Sequence, residues 1–327
     1  MTSSLDFTSK SSRSAVSRRF AAIDIGTVTC RMLIADVDEF GLHELRREYA
    51  ITDLGEGVAA SATLLPAAMA RVDVQMARFM AVVAEFTTID HPLVTVIALA
   101  TSAARDASNA DEFVKLLAAR NIALTVIPGE REAALSFRGA SCDFAGEDLL
   151  VVDIGGGSTE IIAGTAGCDP LFKHSFNVGC RRVTEQFLAS DPPTASELKR
   201  ARCWIEREMR AVFSAVDALR FEPTRLVAVA GTATSVVAID CAMRHYDSAR
   251  VHQRVVARAT LDRIADDLAS MCLSRRRQVV GLDPGRAAVM VAGLLILQVV
   301  LDFTGQDAFT VSESDILQGI ILDTAHA

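Results

Sequence analysis

The sequence predicts an α/β protein with mixed sheets and an internal duplication. Three observations carry that prediction. A short apolar run, Phe20 to Asp24, ends in DIGT and is followed by a second run, RMLIADV (31–37), which reads as a hairpin around a glycine turn. The arrangement recurs downstream, where DLLVVDIGGGST (148–159) leads into EIIAG (160–164). Between and after these hairpins, strand patterns alternate with patterns of helical period, as α/β folds require.

In chain order, helical spacing covers Leu65 to Phe86, Ala110 to Arg120, Ala195 to Leu219 and Ala287 to Phe303. The third opens with Thr194 and Glu197 in capping-box register. VTVIALA (94–100) and ALTVIPG (123–129) read as strands. LVAVA (226–230) is a further strand, followed by a small-residue turn, GTATS (231–235), and a helix from VVAIDCAMRHY. Residues 1–19 contain no apolar signal segment and are expected to form a disordered tail. A domain boundary is expected at Gly139 to Glu147.

The chain has 327 residues, which at roughly 100–200 residues per domain suggests two domains. Apolar residues make up 50% and charged residues 23%, enough to bury a core. A net charge of −8 removes the long-range field that drives non-specific nucleic-acid binding, so a polyanion would need a local basic patch. The seven cysteines form no CxxC pair and the six histidines no HExxH, which suggests neither a disulfide framework nor an all-protein metal cage. The cysteines therefore read as buried apolar residues in a reducing, cytoplasmic compartment. The uncharged run AAVMVAGLLILQVVL has 15 residues where a membrane span needs about 20, and reads as a core helix.

An aspartate at a strand end followed by a glycine turn has a clear chemical logic. The carboxylate can hold Mg²⁺, while unencumbered backbone N–H groups approach phosphate oxygens. Asp24 with Gly26 and Thr27 fits this pattern, as does Asp153 with Gly155, Gly156, Gly157, Ser158 and Thr159. One such turn alone is equally well a conformational device. Two of them, with the strand and GTAT turn at Gly231 and Thr232, resemble the phosphate- and nucleotide-binding elements of the actin and sugar-kinase superfamily.

Within that superfamily, ALATSAARDASNADEF (98–113), VIPGEREAALSFRGA (126–140) and VVDIGGGSTEII (151–162) resemble signatures of the exopolyphosphatase and guanosine-pentaphosphate phosphatase (Ppx/GppA) family. The resemblance runs from Phe20 onward. It implies two ribonuclease-H-like domains, 20–140 and 141–310, with 311–327 packing back on the first and the active site in the cleft between them. It also implies Mg²⁺-dependent hydrolysis of the terminal phosphoanhydride of inorganic polyphosphate or pppGpp, and a homodimer.

Carried over residue by residue, Glu132 matches the family's catalytic base and Arg105 its active-site arginine. Asp153, Glu160 and Asp24 match the metal-proximal carboxylates. Gly26, Thr27, Arg31, Gly155, Gly156, Gly157, Ser158, Thr159, Gly231 and Thr232 match positions that contact phosphate. Four residues depart from the pattern: Val28 replaces an asparagine, Asp53 stands where a basic residue is common, Arg131 replaces a glutamate and Ala288 an aspartate. These departures leave room for a weakened or non-catalytic binder of polyphosphate or guanosine nucleotides, and the superfamily for a sugar kinase or ATPase. Arg275, Arg276 and Arg277 can begin a cationic path for polyphosphate or simply form a solvated face.

Overall fold

The computed structural model describes residues 17–326, apart from Asp90 and Leu93. The expected tail over residues 1–16 lies outside the described residues. Its last two positions do not belong to a tail, because the first strand already begins at Arg18. Arg19 anchors that start, with Nε donating to Asp36 Oδ1 at 2.7 Å and Nη1 to the Phe86 carbonyl at 2.9 Å.

The first sheet contains β1 (Arg18–Ile25), β2 (Thr29–Asp38), β3 (Gly41–Ile51), β4 (Val94–Ala100) and β5 (Leu124–Val126), in the order β3-β2-β1-β4-β5. The second contains β6 (Asp148–Ile154), β7 (Thr159–Thr165), β8 (Phe172–Phe176), β9 (Arg225–Val229), β10 (Val255–Ala257) and β11 (Ala308–Val311), in the order β10-β11-β9-β6-β7-β8. Read from β8, the second sheet repeats the first: a three-stranded antiparallel meander, then two strands added in parallel beside its first strand. The duplication expected from the two DIG hairpins is thus a duplication of topology, with β10 added at one edge. β3 carries no apolar alternation because it is an edge strand, with His43, Glu44, Leu45 and Arg46 exposed.

The helices expected from periodicity form at Pro66–Glu85, Ala110–Ala118, Ala195–Ala218 and Met290–Thr304. The capping box of the third is present, with Thr194 N donating to Glu197 Oε2 at 2.7 Å and Glu197 N to Thr194 Oγ1 at 3.2 Å. Met290–Thr304 is apolar all round because it lies inside the core of the second half. It therefore offers no exposed apolar face to a second copy. No described helix is long and apolar enough to cross a membrane.

GTATS is not a separate turn. The Ala230–Asp240 helix starts directly at the end of β9 and includes it, so the helix also stops short of Cys241. Its first residues abut Arg286, and a Cβ on Gly231 would stand 1.5 Å from Arg286 Nη1.

Strand parity decides which residues face the cleft between the two halves. In β1, Ala21, Ile23 and Ile25 join the core under the Pro66–Glu85 helix, whereas Phe20 and Ala22 join Leu135 and Ile316 on the opposite face. Asp24 continues that second face. In β6, Leu149 and Val151 pack with Ala133 and Phe137, and Asp153 continues their row. The Gly129–Ala140 helix, which supplies Leu135 to one cluster and Phe137 to the other, therefore lies between both aspartate-bearing faces. It crosses the Ile316–Ala325 helix very closely: a Cβ on Gly139 would meet the Asp315 carbonyl oxygen at 1.7 Å, and one on Gly319 would meet that of Leu135 at 1.9 Å.

Candidate functional site

The two DIG turns are built alike. Gly26 N donates to Thr29 O at 2.9 Å, and Gly155 N to Ser158 O at 3.0 Å. Across each hairpin, the aspartate faces a partner on the neighbouring strand: Asp24 opposite Arg31, Asp153 opposite Glu160. Equivalent positions of the duplicated unit thus carry a cation in the first half and a carboxylate in the second. The turns touch across the cleft, where a Cβ on Gly156 would lie 2.6 Å from Val28 Cγ2 and one on Gly157 2.7 Å from Thr27 Oγ1. Only glycine allows that approach.

A cavity opens between them. Its walls include Asp24, Gly26, Thr27, Arg31, Glu132, Asp153, Gly155, Gly156, Gly157, Ser158, Gly231 and Thr232, which brings together most of the residues expected from sequence. Three others stand outside its lining. Thr159 precedes Glu160 in β7, so alternation sends it to the opposite face, where its hydroxyl donates to the Val178 carbonyl. Glu160 is on the right face but buried, accepting from Ser175 Oγ at 2.6 Å. Arg105 lies behind Glu132, with Nη1 donating to Glu132 Oε2 at 2.9 Å and to the Ile127 carbonyl at 3.2 Å.

Burial governs the electrostatics. Asp24 accepts from Arg31 Nε at 3.1 Å and Nη2 at 2.6 Å on one oxygen, while its other oxygen, Oδ1, is buried without a partner. Burial raises its pKa and Arg31 opposes the rise. Asp153 accepts from Ser136 Oγ at 2.7 Å, yet burial pushes it up to about 6. Burial lifts Glu132 to about 7 against the pull of Arg105, helped by the charges of Asp24 and Asp153. Glu160 is raised further by burial and by Glu132 and Asp153. Four carboxylates thus share one desolvated region.

Arg286 also lines this cavity, and sequence reading did not select it. Burial, followed by the charge of Arg31, lowers its pKa. It forms no ion pair with a carboxylate among the described residues, so its guanidinium is available to an anion. The departures from the family pattern fall in different places. Val28 lines the cavity, but Arg131 pairs with Asp323 and Ala288 stands outside the lining. Asp53 is neutralised by Arg181 from the other half. The arginine triplet builds no path into the cavity: Arg276 is buried against Asp191 at 3.1 Å.

Two ribonuclease-H-like halves enclosing a cleft lined by carboxylates and glycines define an actin-like α/β protein. The chain belongs to the Ppx/GppA phosphatase family, whose model matches residues 33–327. It is 38% identical to Exopolyphosphatase 2 of Mycobacterium tuberculosis, over 94% of this chain and 98% of the relative. Among solved structures, it resembles an exopolyphosphatase from Cytophaga hutchinsonii with a TM-score of 0.84 at 26% identity, covering 94% of this chain and 98% of that one. It also resembles the Aquifex aeolicus Ppx/GppA protein, with a TM-score of 0.77 at 26% identity, covering 95% and 98%.

Proposed function

We propose that the chain is an exopolyphosphatase that releases the terminal phosphate of inorganic polyphosphate by base-activated attack of water. The observation that carries this reading is Glu132, a carboxylate on the cavity wall with raised proton affinity and an arginine fixing its orientation at 2.9 Å. A base whose pKa lies near the working pH accepts a proton from water most effectively. Glu132 takes that proton as the water oxygen attacks the terminal phosphorus. The bridging oxygen departs with the shortened chain, and inorganic phosphate is the other product. Backbone N–H groups of the two glycine turns, the hydroxyls of Thr27 and Ser158, and the guanidinium of Arg286 suit the phosphate oxygens.

Mg²⁺ fits the residues present. The unpartnered Asp24 Oδ1 is a hard oxygen donor, and Asp153 lines the same cavity. Among the described residues, no three His, Cys, Asp or Glu converge as a cage. Mg²⁺ commonly keeps several waters and takes one or two carboxylates plus substrate phosphate. When bound, it supplies charge neutralisation for the phosphates.

A second substrate, pppGpp, is favoured by a neighbouring cavity of about 530 Å³, joined to the first at Arg31, Gly231 and Arg286. Its walls carry Glu44, Glu48, Asp283, Glu313 and Asp315 against Arg31, Arg47, Arg244 and Arg286, together with Tyr49 and Tyr246. The carboxylates and tyrosine hydroxyls of such walls can accept the N–H and O–H donors of a nucleoside. Parallel assays of phosphate release from long-chain polyphosphate and from pppGpp, with Mg²⁺, test the reading. Release from polyphosphate supports the principal assignment, and release from pppGpp alone transfers it to the nucleotide. Binding without release from either makes the protein a binder.

A further inference from the structure

Arg31 stands where the two cavities meet, and two carboxylates from opposite ends of the chain grip it. Asp24, across the β1–β2 ladder, takes Nε and Nη2. Asp315, 284 residues further along the chain, takes Nη1 on Oδ2. Asp315 is itself immobilised. It is 3% exposed, its Oδ1 accepts from Leu317 N at 3.0 Å, and its own N–H donates to Gln318 Oε1 at 3.0 Å. One carboxylate thus caps the Ile316–Ala325 helix with one oxygen and holds Arg31 with the other.

We propose that Asp315 is a positioning residue for phosphate binding: it fixes the Arg31 guanidinium at the junction of the cavities without touching substrate. Asp24 alone holds a single edge of the guanidinium, about which the group can pivot; Asp315 engages the third nitrogen and removes that freedom. Of the five N–H bonds of the guanidinium, three are then committed and two remain for phosphate oxygens. The proposal rests on the reading of the cavity as a phosphate site.

Asp315→Asn separates the two duties of the residue, because asparagine caps helices as well as aspartate does but carries no charge to hold Arg31. In a Glu132→Gln background, where turnover does not interfere, calorimetry with tripolyphosphate and Mg²⁺ should show about tenfold weaker binding for Asp315→Asn, the loss of a charge-assisted bond's orientation. The thermal midpoint should stay close to that of the parent. Adding Asp315→Asn to Arg31→Ala should cost no further affinity, since Asp315 acts only through Arg31. If Asp315→Asn does not fold, Asp315→Ser, which also caps, carries the same comparison. A parent that binds with an Asn variant that binds equally well overturns the role of Asp315 alone, as do additive losses in the double variant. A parent that binds no tripolyphosphate overturns the phosphate reading and this proposal with it.

Discussion

Ser136 Oγ donates to Asp153 Oδ2 at 2.7 Å, which ties the helix that carries Glu132 to the strand that ends in the second glycine turn. The bond spans the cleft's two sources of catalytic groups with one buried contact. Ser136→Ala leaves Asp153 desolvated with one donor fewer. A loss of about 1–3 kcal/mol of stability is expected at pH 8, where the carboxylate is charged. The loss should be smaller at pH 5, where Asp153, already raised to about 6, is protonated in both proteins. Urea titrations at the two pH values check this.

The carboxylate cluster sets the pH dependence of the protein without metal. Folding raises the pKa of Asp153 to about 6 and of Glu132 to about 7, above their unfolded values, so the folded state binds more protons through that window. Stability therefore falls as pH rises from about 4 to about 7, the reverse of an ordinary salt-bridged carboxylate. Thermal melts across this range should show the decline. Mg²⁺, if held by these carboxylates, should flatten it, and Glu132→Gln should flatten it in part.

The crossing of the Gly129–Ala140 and Ile316–Ala325 helices has no room for a methyl group. Gly139→Ala would place a carbon against the backbone of Asp315, which cannot rotate away as a side chain would. Overpacking of this kind costs typically about 1–3 kcal/mol. The same substitution also displaces Asp315, so chemical denaturation and substrate affinity should both worsen.

Arg286 contributes an uncompensated guanidinium to the cavity wall. Arg286→Ala should raise KM about tenfold or more, the worth of a charge-assisted hydrogen bond being about 1.5–3 kcal/mol, with a smaller change in kcat. Steady-state kinetics separate the two. The variant should not lose stability, because no carboxylate partner is left behind.

Much of this site is legible in the sequence because alternation fixes it. Asp24 and Asp153 each end a strand whose preceding same-face residues are apolar, so both must point where Leu135 or Phe137 packs. The same rule, applied one residue further, removes Thr159 from the cleft. Other features depend on contacts that no local pattern encodes. Asp53 reads as a repulsive acid until Arg181, 128 residues away, is seen to pair with it. Arg286 lies in a turn ahead of a helix of no amphipathic face, and only its close approach to Gly231 marks it. β3 was hidden by the charge that an edge strand carries.

Glu132 is the proposed base. The most direct measurement compares wild type with Glu132→Gln for phosphate release from long-chain polyphosphate and for binding of the same polymer, both with Mg²⁺. Release should fall by about 10²–10⁴-fold, the range expected when a general base is lost, while binding is retained. Equal release by the variant, or loss of binding in step with loss of release, would contradict that role.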